Sequence, residues 1–234
     1  MFAVESERFF LKIFSAWFLF SMLLVFSAGI QPVVLILPVV IAVLVLTYWS
    51  VDCAYRTERF SRYATFRLIS NLALAPAIAF VMTLAVSHIE LKLGPLASVA
   101  LSSVPLIIAG AAYAVMYAWR SKHSSLHVRG QRVVVVESAQ QHHWGVGAVG
   151  AGLGSLLYPV FEAHNTSYSV VVFISIVLSL FMVFYHRSSI SALRGLKEKE
   201  SRERCHYTFM NIEEIREKRA ASLLGRIFAV RAGR

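Results

Sequence analysis

Charged residues are scarce in this chain of 234 residues: Asp, Glu, Lys and Arg together make up 15% of it, whereas apolar residues make up 57%. An ordinary soluble domain carries about 25% charged residues. With a mean hydropathy of +0.63, the chain has too little charge to cover a soluble surface of its size. This scarcity excludes an ordinary soluble globule, a disordered chain and a coiled coil.

Cysteine is almost absent as well. Cys53 and Cys205 are too few to form a disulfide framework, which excludes a small secreted scaffold. Acidic residues are also few, since 13 Asp and Glu face 23 Lys and Arg and leave a net charge of +10. The class that fits this composition is a basic protein that crosses a membrane several times.

The spans can be located from the runs that carry no charge. From Ile13 to Val51 there are 39 consecutive positions without a charged residue. As one helix this run would be about 58 Å long, roughly twice the thickness of the hydrocarbon core. It must therefore turn back, and segment 27–32 holds the turn signal. The whole pattern predicts an all-α membrane protein with six transmembrane helices in three hairpins, over residues 13–28, 33–51, 68–87, 95–119, 144–161 and 168–185.

Basic residues indicate how these spans are threaded. With these spans, all of the 23 Lys and Arg residues except Lys92 fall on one side of the membrane. Cytoplasmic loops carry such an excess. We therefore expect a protein of the bacterial inner membrane with both termini in the cytoplasm. It would consist of a transmembrane bundle over residues 1–186 and a basic cytoplasmic tail over residues 187–234.

The tail contains an amphipathic pattern. Asn211 stands at an N-cap position, and apolar residues then recur at helical spacing, with the basic residues mostly away from them. This predicts a basic helix on the anionic inner leaflet, with docking on a partner protein as the alternative. The residues expected to contact the membrane surface or a partner are Ile215, Arg216, Arg219, Leu224, Arg226, Ile227 and Phe228.

The inner connection between the fourth and fifth predicted spans contains two β-favouring runs. Residues 126–128 and 133–136 flank a short segment that includes Gly130. This pattern is typical of a β-hairpin, and an extended basic loop fits it equally well.

The predicted fifth span is rich in glycine, with five of the 12 glycines within ten residues. Small side chains let helices approach closely inside a membrane. The face formed by Gly147, Gly150, Ala151 and Gly154 is therefore expected to pack against another helix of the same subunit. Contact with a second copy and a pore lining are the alternatives.

Residues with catalytic or metal-binding chemistry form no set that the sequence supports. No charged residue lies in the middle of a predicted span, where ion-coupled transporters carry one. His123 and His127 have the spacing of metal ligands on a helix, but the residues around them disfavour a helix. Ser155 and His164 do not make a credible nucleophile and base. We expect no catalytic residue, no metal and no cofactor.

These observations favour a non-enzymatic integral inner-membrane protein. It would act as an anchoring, assembly, immunity or exclusion-type component through its cytoplasmic loops and tail. Its expected partners are the lipid bilayer with its anionic lipids, and other membrane proteins or a second copy of itself. Nucleic acid is not expected, because no nucleic-acid-binding fold accompanies the charge. The alternatives are a channel or passive transporter subunit built around the glycine-rich fifth span, and a membrane enzyme.

Overall fold

The computed structural model describes residues 2, 5–119, 126–135 and 167–228, and long apolar helices make up most of it. The long helices are α1 (Phe9–Ile30), α2 (Pro32–Val51), α3 (Phe60–Ala85), α4 (Pro95–Ala118) and α5 (Ser167–Tyr185). Shorter elements follow: α6 (Arg187–Glu203), α7 (Ile212–Ala221), α8 (Leu223–Phe228) and the strands β1 (Leu126–Arg129), β2 (Arg132–Val135) and β3 (Thr208–Phe209).

Two π-helical segments, Asp52–Arg56 and Val86–Glu90, continue α2 and α3. With these continuations, four helical stretches are long and apolar enough to cross a membrane: Phe9–Ile30, Val33–Arg56, Phe60–Ile89 and Pro95–Ala118. A fifth candidate is the pair Ile176–Tyr185 and Arg187–Glu203, which is bent by 52° at its junction. The expected class, a mostly helical protein embedded in a membrane, is therefore confirmed. The predicted fifth span, residues 144–161, lies outside the described residues, so the number six stays a prediction.

Proline and glycine mark the helix ends where the sequence predicted turns. The chain turns at Gln31, whose amide donates to the carbonyl of Ser27 at 3.1 Å, and Pro32 opens α2. Pro95 opens α4 directly after Gly94. Proline fits the first turn of a helix because its missing N–H would have had no partner there.

The third helix begins earlier than predicted. The sequence pattern starts it at Leu68, after Arg67, whereas α3 begins at Phe60. The earlier arginines belong to the helix: Arg62 pairs with Asp52 at 3.1 Å, and Arg67 donates to the carbonyl of Lys12 at 3.1 Å. Charge limits the part of a helix that lipid can cover, and it does not end the helix itself.

A small sheet accompanies the helices. Strands β1 and β2 form an antiparallel hairpin in which Arg129 pairs with Arg132, and Gly130 adopts φ 62° in the turn between them. The predicted hairpin is therefore confirmed, and the extended loop is not. The parallel strand β3, which pairs Phe209 with Val133, was not predicted. A two-residue strand is too short to leave a pattern in the sequence.

Most of the fully buried large side chains gather at one end of the bundle; Leu84, near the other end of α3, is an exception. Those that gather there include Phe9, Ile13, Phe60, Tyr63, Tyr207, Phe209 and Ile215. They come from the first two turns of α1, from the start of α3, from β3 and Tyr207 just before it, and from α7. We call this region, which includes the turn after α2, the sheet and the folded tail, the basic end. Within the bundle, α3 contacts α1, α4 and α5, while α2 contacts mainly α1.

The tail is more folded than the sequence indicated. The single amphipathic helix expected from Ile212 to Phe228 is broken at Ser222, whose φ and ψ of −84° and 144° are extended. Its hydroxyl accepts the amide of Gly225 at 2.9 Å and so begins α8. Helix α7 then packs onto the ends of the spans instead of lying free of them.

Candidate interaction site at the basic end

An aromatic cluster joins three separate segments of the chain at the basic end. The ring of Phe9 stacks on Tyr63 at 5.2 Å between centroids and meets Phe209 edge-on at 5.7 Å. Phe60 also meets Phe209 edge-on, at 5.6 Å. Aromatic pairs in these geometries add about 0.5–1.5 kcal/mol each beyond the burial of their surface. The cluster therefore fixes β3, and the tail behind it, against α1 and α3.

The guanidinium of Arg219 is buried against the turn that follows α2. Its Nε donates to the carbonyl of Ala54 at 2.7 Å, and a terminal nitrogen donates to those of Thr57 at 2.9 Å and Cys53 at 3.3 Å. It also lies 5.8 Å from the ring centre of Phe9. The last carbonyls of a helix lack partners inside the helix and carry partial negative charge, so a cation stabilises them.

This geometry corrects the role that the sequence pattern gave to Arg219. The residue was assigned to the polar face of a surface helix, but it is only 5% exposed. Burial lowers the pKa of the guanidinium, and the nearby carboxylate of Glu58 opposes that shift. Ile215 is fully buried beside it in the core. Neither side chain is available to a membrane surface or to a separate partner.

Arg216 holds the same helix from the outside. Its Nε and terminal nitrogen donate to the two carboxylate oxygens of Glu58 at 2.7 and 2.6 Å, a paired geometry. The hydrogen bond from Arg216 lowers the pKa of Glu58. Glu58 lies in the short connection between α2 and α3, so α7 is tied to that connection by both Arg216 and Arg219.

A second arginine caps the end of α4. Arg194, on α6, donates to the carbonyls of Tyr117 and Ala118 and lies 5.4 Å from the ring centre of Tyr117. Its Nε also pairs with Glu198 at 2.7 Å. The tail therefore supplies one cation to the turn that follows α2 and another to the end of α4. Arg194 was not among the predicted contact residues, because these partners are backbone atoms 76 and 77 residues away in the chain.

Helix α8 carries the remaining predicted contact residues, and some of these are exposed, unlike Ile215 and Arg219 of α7. Phe228 is half-buried and lies 6.5 Å from the ring of Tyr55. Ile227 and its neighbour Leu223 are 72% and 77% exposed, and Arg226 is exposed between them. The side chain of Leu224 is outside what the structure describes. One short helix therefore keeps the exposed amphipathic face that was expected of the whole tail.

A groove of about 1010 Å³ opens at the basic end. Residues 5–8, which precede α1, form one wall, and residues 133–135 of β2 form another. The turn at Met210 and the first turn of α7, with Glu214, complete it. The groove therefore combines a strand edge, apolar side chains and carboxylates.

Several predicted features lie outside the described residues. They are the helix-packing face of Gly147, Gly150, Ala151 and Gly154, and the residues His123, Ser155 and His164. Within the described part of the chain, no three His, Cys, Asp or Glu residues come close enough to hold a metal ion.

Comparison of the chain with protein-family models, with curated proteins and with solved structures gave no match.

Proposed function

We propose that this protein is a non-enzymatic integral component of the bacterial inner membrane that contacts its partners through the basic end. The observation that carries the proposal is the folded tail, which Arg219 and Arg194 fasten to the ends of two membrane-spanning helices. A tail fixed in this way presents one defined surface. That is what an anchoring, assembly, immunity or exclusion-type component requires, since binding a partner then costs less ordering.

The described spans support this role better than transport. Their charged residues lie toward the helix ends, as Lys12 does in the first turn of α1 and Arg62 and Arg67 do within the first eight residues of α3. Transporters that couple to ions carry such groups near the midplane. The alternative, a channel built around the glycine-rich segment 144–161, rests on residues that the structure does not describe.

In the proposed arrangement six spans form three hairpins, and both termini and the basic end face the cytoplasm. The support is the distribution of Lys and Arg, of which only Lys92 falls on the opposite side. A reporter that is active only in the cytoplasm should give signal when fused after residue 228 and none when fused within residues 91–94. The reverse result would contradict the proposed threading.

Helix α8 is the part of the tail proposed to touch lipid. Its exposed Leu223 and Ile227 would enter the interface of the anionic leaflet, and Arg226 would meet the headgroups. Other membrane proteins or a second copy would contact the rest of the basic end.

The function is tested by purification from mild detergent after crosslinking in native membranes. We expect a reproducible partner to co-purify with the wild-type protein and with Arg202→Gln, an exposed site on α6. The same partner should be lost from Arg219→Leu, which detaches α7. A partner kept by a chain truncated after residue 186 would place the contact in the spans instead. Ion flux in proteoliposomes without any partner would support the channel.

A further inference from the structure

The groove at the basic end contains an open strand edge. The amide of Thr208 in β3 donates to the carbonyl of Gln131 at 2.9 Å, so the backbone of Gln131 faces β3. Backbone groups alternate in direction along a strand, so those of Val133 and Val135 face the same side. Strand β3 ends at Phe209, opposite Val133. Among the described residues, nothing pairs with Val135 on that side.

An open strand edge of this kind is a template for another strand. Its N–H and C=O groups can pair with an extended peptide, and neighbouring side chains then select the sequence. Met210 lines the groove and is 51% exposed, and Val135 is half-buried beside the edge. These two side chains offer apolar contacts, and methionine adapts readily to different partners.

The charge of the groove selects the partner. Glu7 and Glu214 line it, are exposed, and form no ion pair within the described residues. Glu5 also lines it and pairs with Arg8 at 3.6 Å and with Lys12 at 4.0 Å, and Arg8 is itself a lining residue. In a chain of net charge +10 this is a local concentration of carboxylates. Three carboxylates outnumber the one guanidinium that lines the groove, so it attracts cations more than anions and favours a basic partner over an anionic headgroup or a nucleic acid.

We propose that the groove binds an extended segment of a partner protein in which Lys or Arg alternates with apolar residues. The segment pairs with the open edge at Val135, and its cations meet Glu7 and Glu214. This inference rests on the proposed function and adds to it the chemistry of the partner.

The test uses the full chain in nanodiscs of neutral phosphatidylcholine. The probe is a fluorescent hexapeptide of alternating Val and Lys, followed by fluorescence polarisation at low salt. We expect saturable binding that weakens as salt is added. A Val–Glu hexapeptide should not bind. A Val–Lys hexapeptide N-methylated at alternate residues should also fail, because it cannot donate to the strand edge.

Variants locate the site. Replacing both carboxylates in Glu7→Gln/Glu214→Gln should raise the Kd about fivefold, as expected for two exposed charge pairs. Glu217→Gln is the matched control, since Glu217 is exposed on the same helix and does not line the groove. Val135→Pro should abolish binding because it removes the N–H that faces the groove, while circular dichroism reports whether the fold is kept.

Several outcomes would overturn the inference. These are absence of Val–Lys binding, equal binding of the N-methylated peptide, and an unchanged Kd in the double variant. A dimer in sedimentation that Val135→Pro dissociates would also overturn it, because a second copy would then occupy the groove. If the Val–Lys peptide does not bind but a partner still co-purifies in a way that requires Arg219, the groove proposal is wrong and the proposed function is kept. If the peptide binds but no such partner co-purifies, the groove proposal is kept and the proposed function is wrong.

Discussion

The membrane-spanning helices and the basic end use their apolar residues in opposite ways. Along α1 and α2, side chains such as Phe18 and Leu37 point away from the protein, and they are 62% and 70% exposed on its surface. At the basic end, Phe9, Tyr63 and Phe209 are fully buried. Lipid tails are as apolar as a protein interior, so moving an apolar side chain from lipid into the protein gains no hydrophobic free energy. Moving one out of water does. The packing that defines a unique tertiary structure is therefore concentrated at the basic end.

Polar groups divide in the same way. In the spans, hydroxyls donate mainly to their own helix: Ser70 donates to Phe66 at 2.8 Å, and Ser102 donates to Ser98 at 2.6 Å. Thr47 of α2 also accepts the indole N–H of Trp17 on α1, at 2.9 Å. At the basic end, Arg219 reaches backbone atoms more than 160 residues away. A hydrogen bond within one helix does not determine which other helix packs against it. Much of the polar contact between distant segments is therefore made by arginines at the basic end.

The largest expected effect comes from Arg219→Leu. It leaves the carbonyls that the guanidinium capped without their partner, which should cost about 3 kcal/mol of stability. Thermal unfolding in detergent and proteolysis of the tail would measure the loss. Arg226→Leu, on the exposed face of α8, is the control and should cost under about 0.5 kcal/mol. Equal effects of the two changes would mean that the guanidinium does not hold the tail.

A change in the glycine-rich segment tests whether the spans also contain close packing. Gly150→Leu or Gly154→Leu should destabilise the bundle or its oligomer by about 1–3 kcal/mol, because a bulky side chain separates packed helices. Gly110→Leu on α4 is the control, since no atom of the described residues lies within 4 Å of a Cβ placed there. Wild-type stability in detergent for the first two variants would indicate that their face looks onto lipid.

The hairpin turn at the basic end should show a smaller effect. Gly130 has φ 62°, a conformation that costs a residue with a side chain roughly 1–2 kcal/mol. Gly130→Leu should therefore loosen β1 and β2, and hydrogen exchange of their amides would rise. Gly130→Asn should be milder, because asparagine tolerates this conformation. Identical exchange in the two variants would contradict this account.

The smallest effect is a dependence of stability on pH at Glu58. Arg216 lowers the pKa of this carboxylate in the folded state. A lowered pKa contributes stability that is complete above the ordinary value of about 4.3 and is lost as the pH falls through the folded-state value. The Tm advantage of the wild type over Arg216→Gln should therefore shrink as the pH falls below about 4.3. An exposed pair contributes only about 0.2–1 kcal/mol, so the advantage is small. A constant difference between pH 7 and pH 3 would contradict the pairing.

Local signals in the sequence were enough to predict the helix-ending turns, the membrane class and the hairpin. The backbone preferences of proline and glycine hold without any tertiary contact, as at Pro32, Pro95 and Gly130. The start of α3 was predicted eight residues late, because Arg67 was taken as the end of a helix rather than of a lipid-covered segment. Strand β3 was missed because two residues carry no periodicity.

The candidate site was predictable only in part, and Arg219 shows why. On a helical projection it looks like a solvated cation, and no property of its neighbours in sequence distinguishes it from Arg226. What buries it is the set of carbonyls in the turn that follows α2, those of Cys53, Ala54 and Thr57. A partner that consists of backbone atoms cannot be recognised from side-chain patterns.

The sequence by itself determined that this chain enters a membrane and roughly where its spans lie, because lipid selects on hydropathy alone and hydropathy is a local quantity. The tertiary structure alone decided that the tail docks on the spans, which arginines are buried, and where a strand edge stays open beside carboxylates. Those outcomes depend on contacts between residues far apart in the chain, such as Arg219 with Ala54 and Thr208 with Gln131. Such contacts stabilise the protein only after the chain has closed the long loop between the two segments.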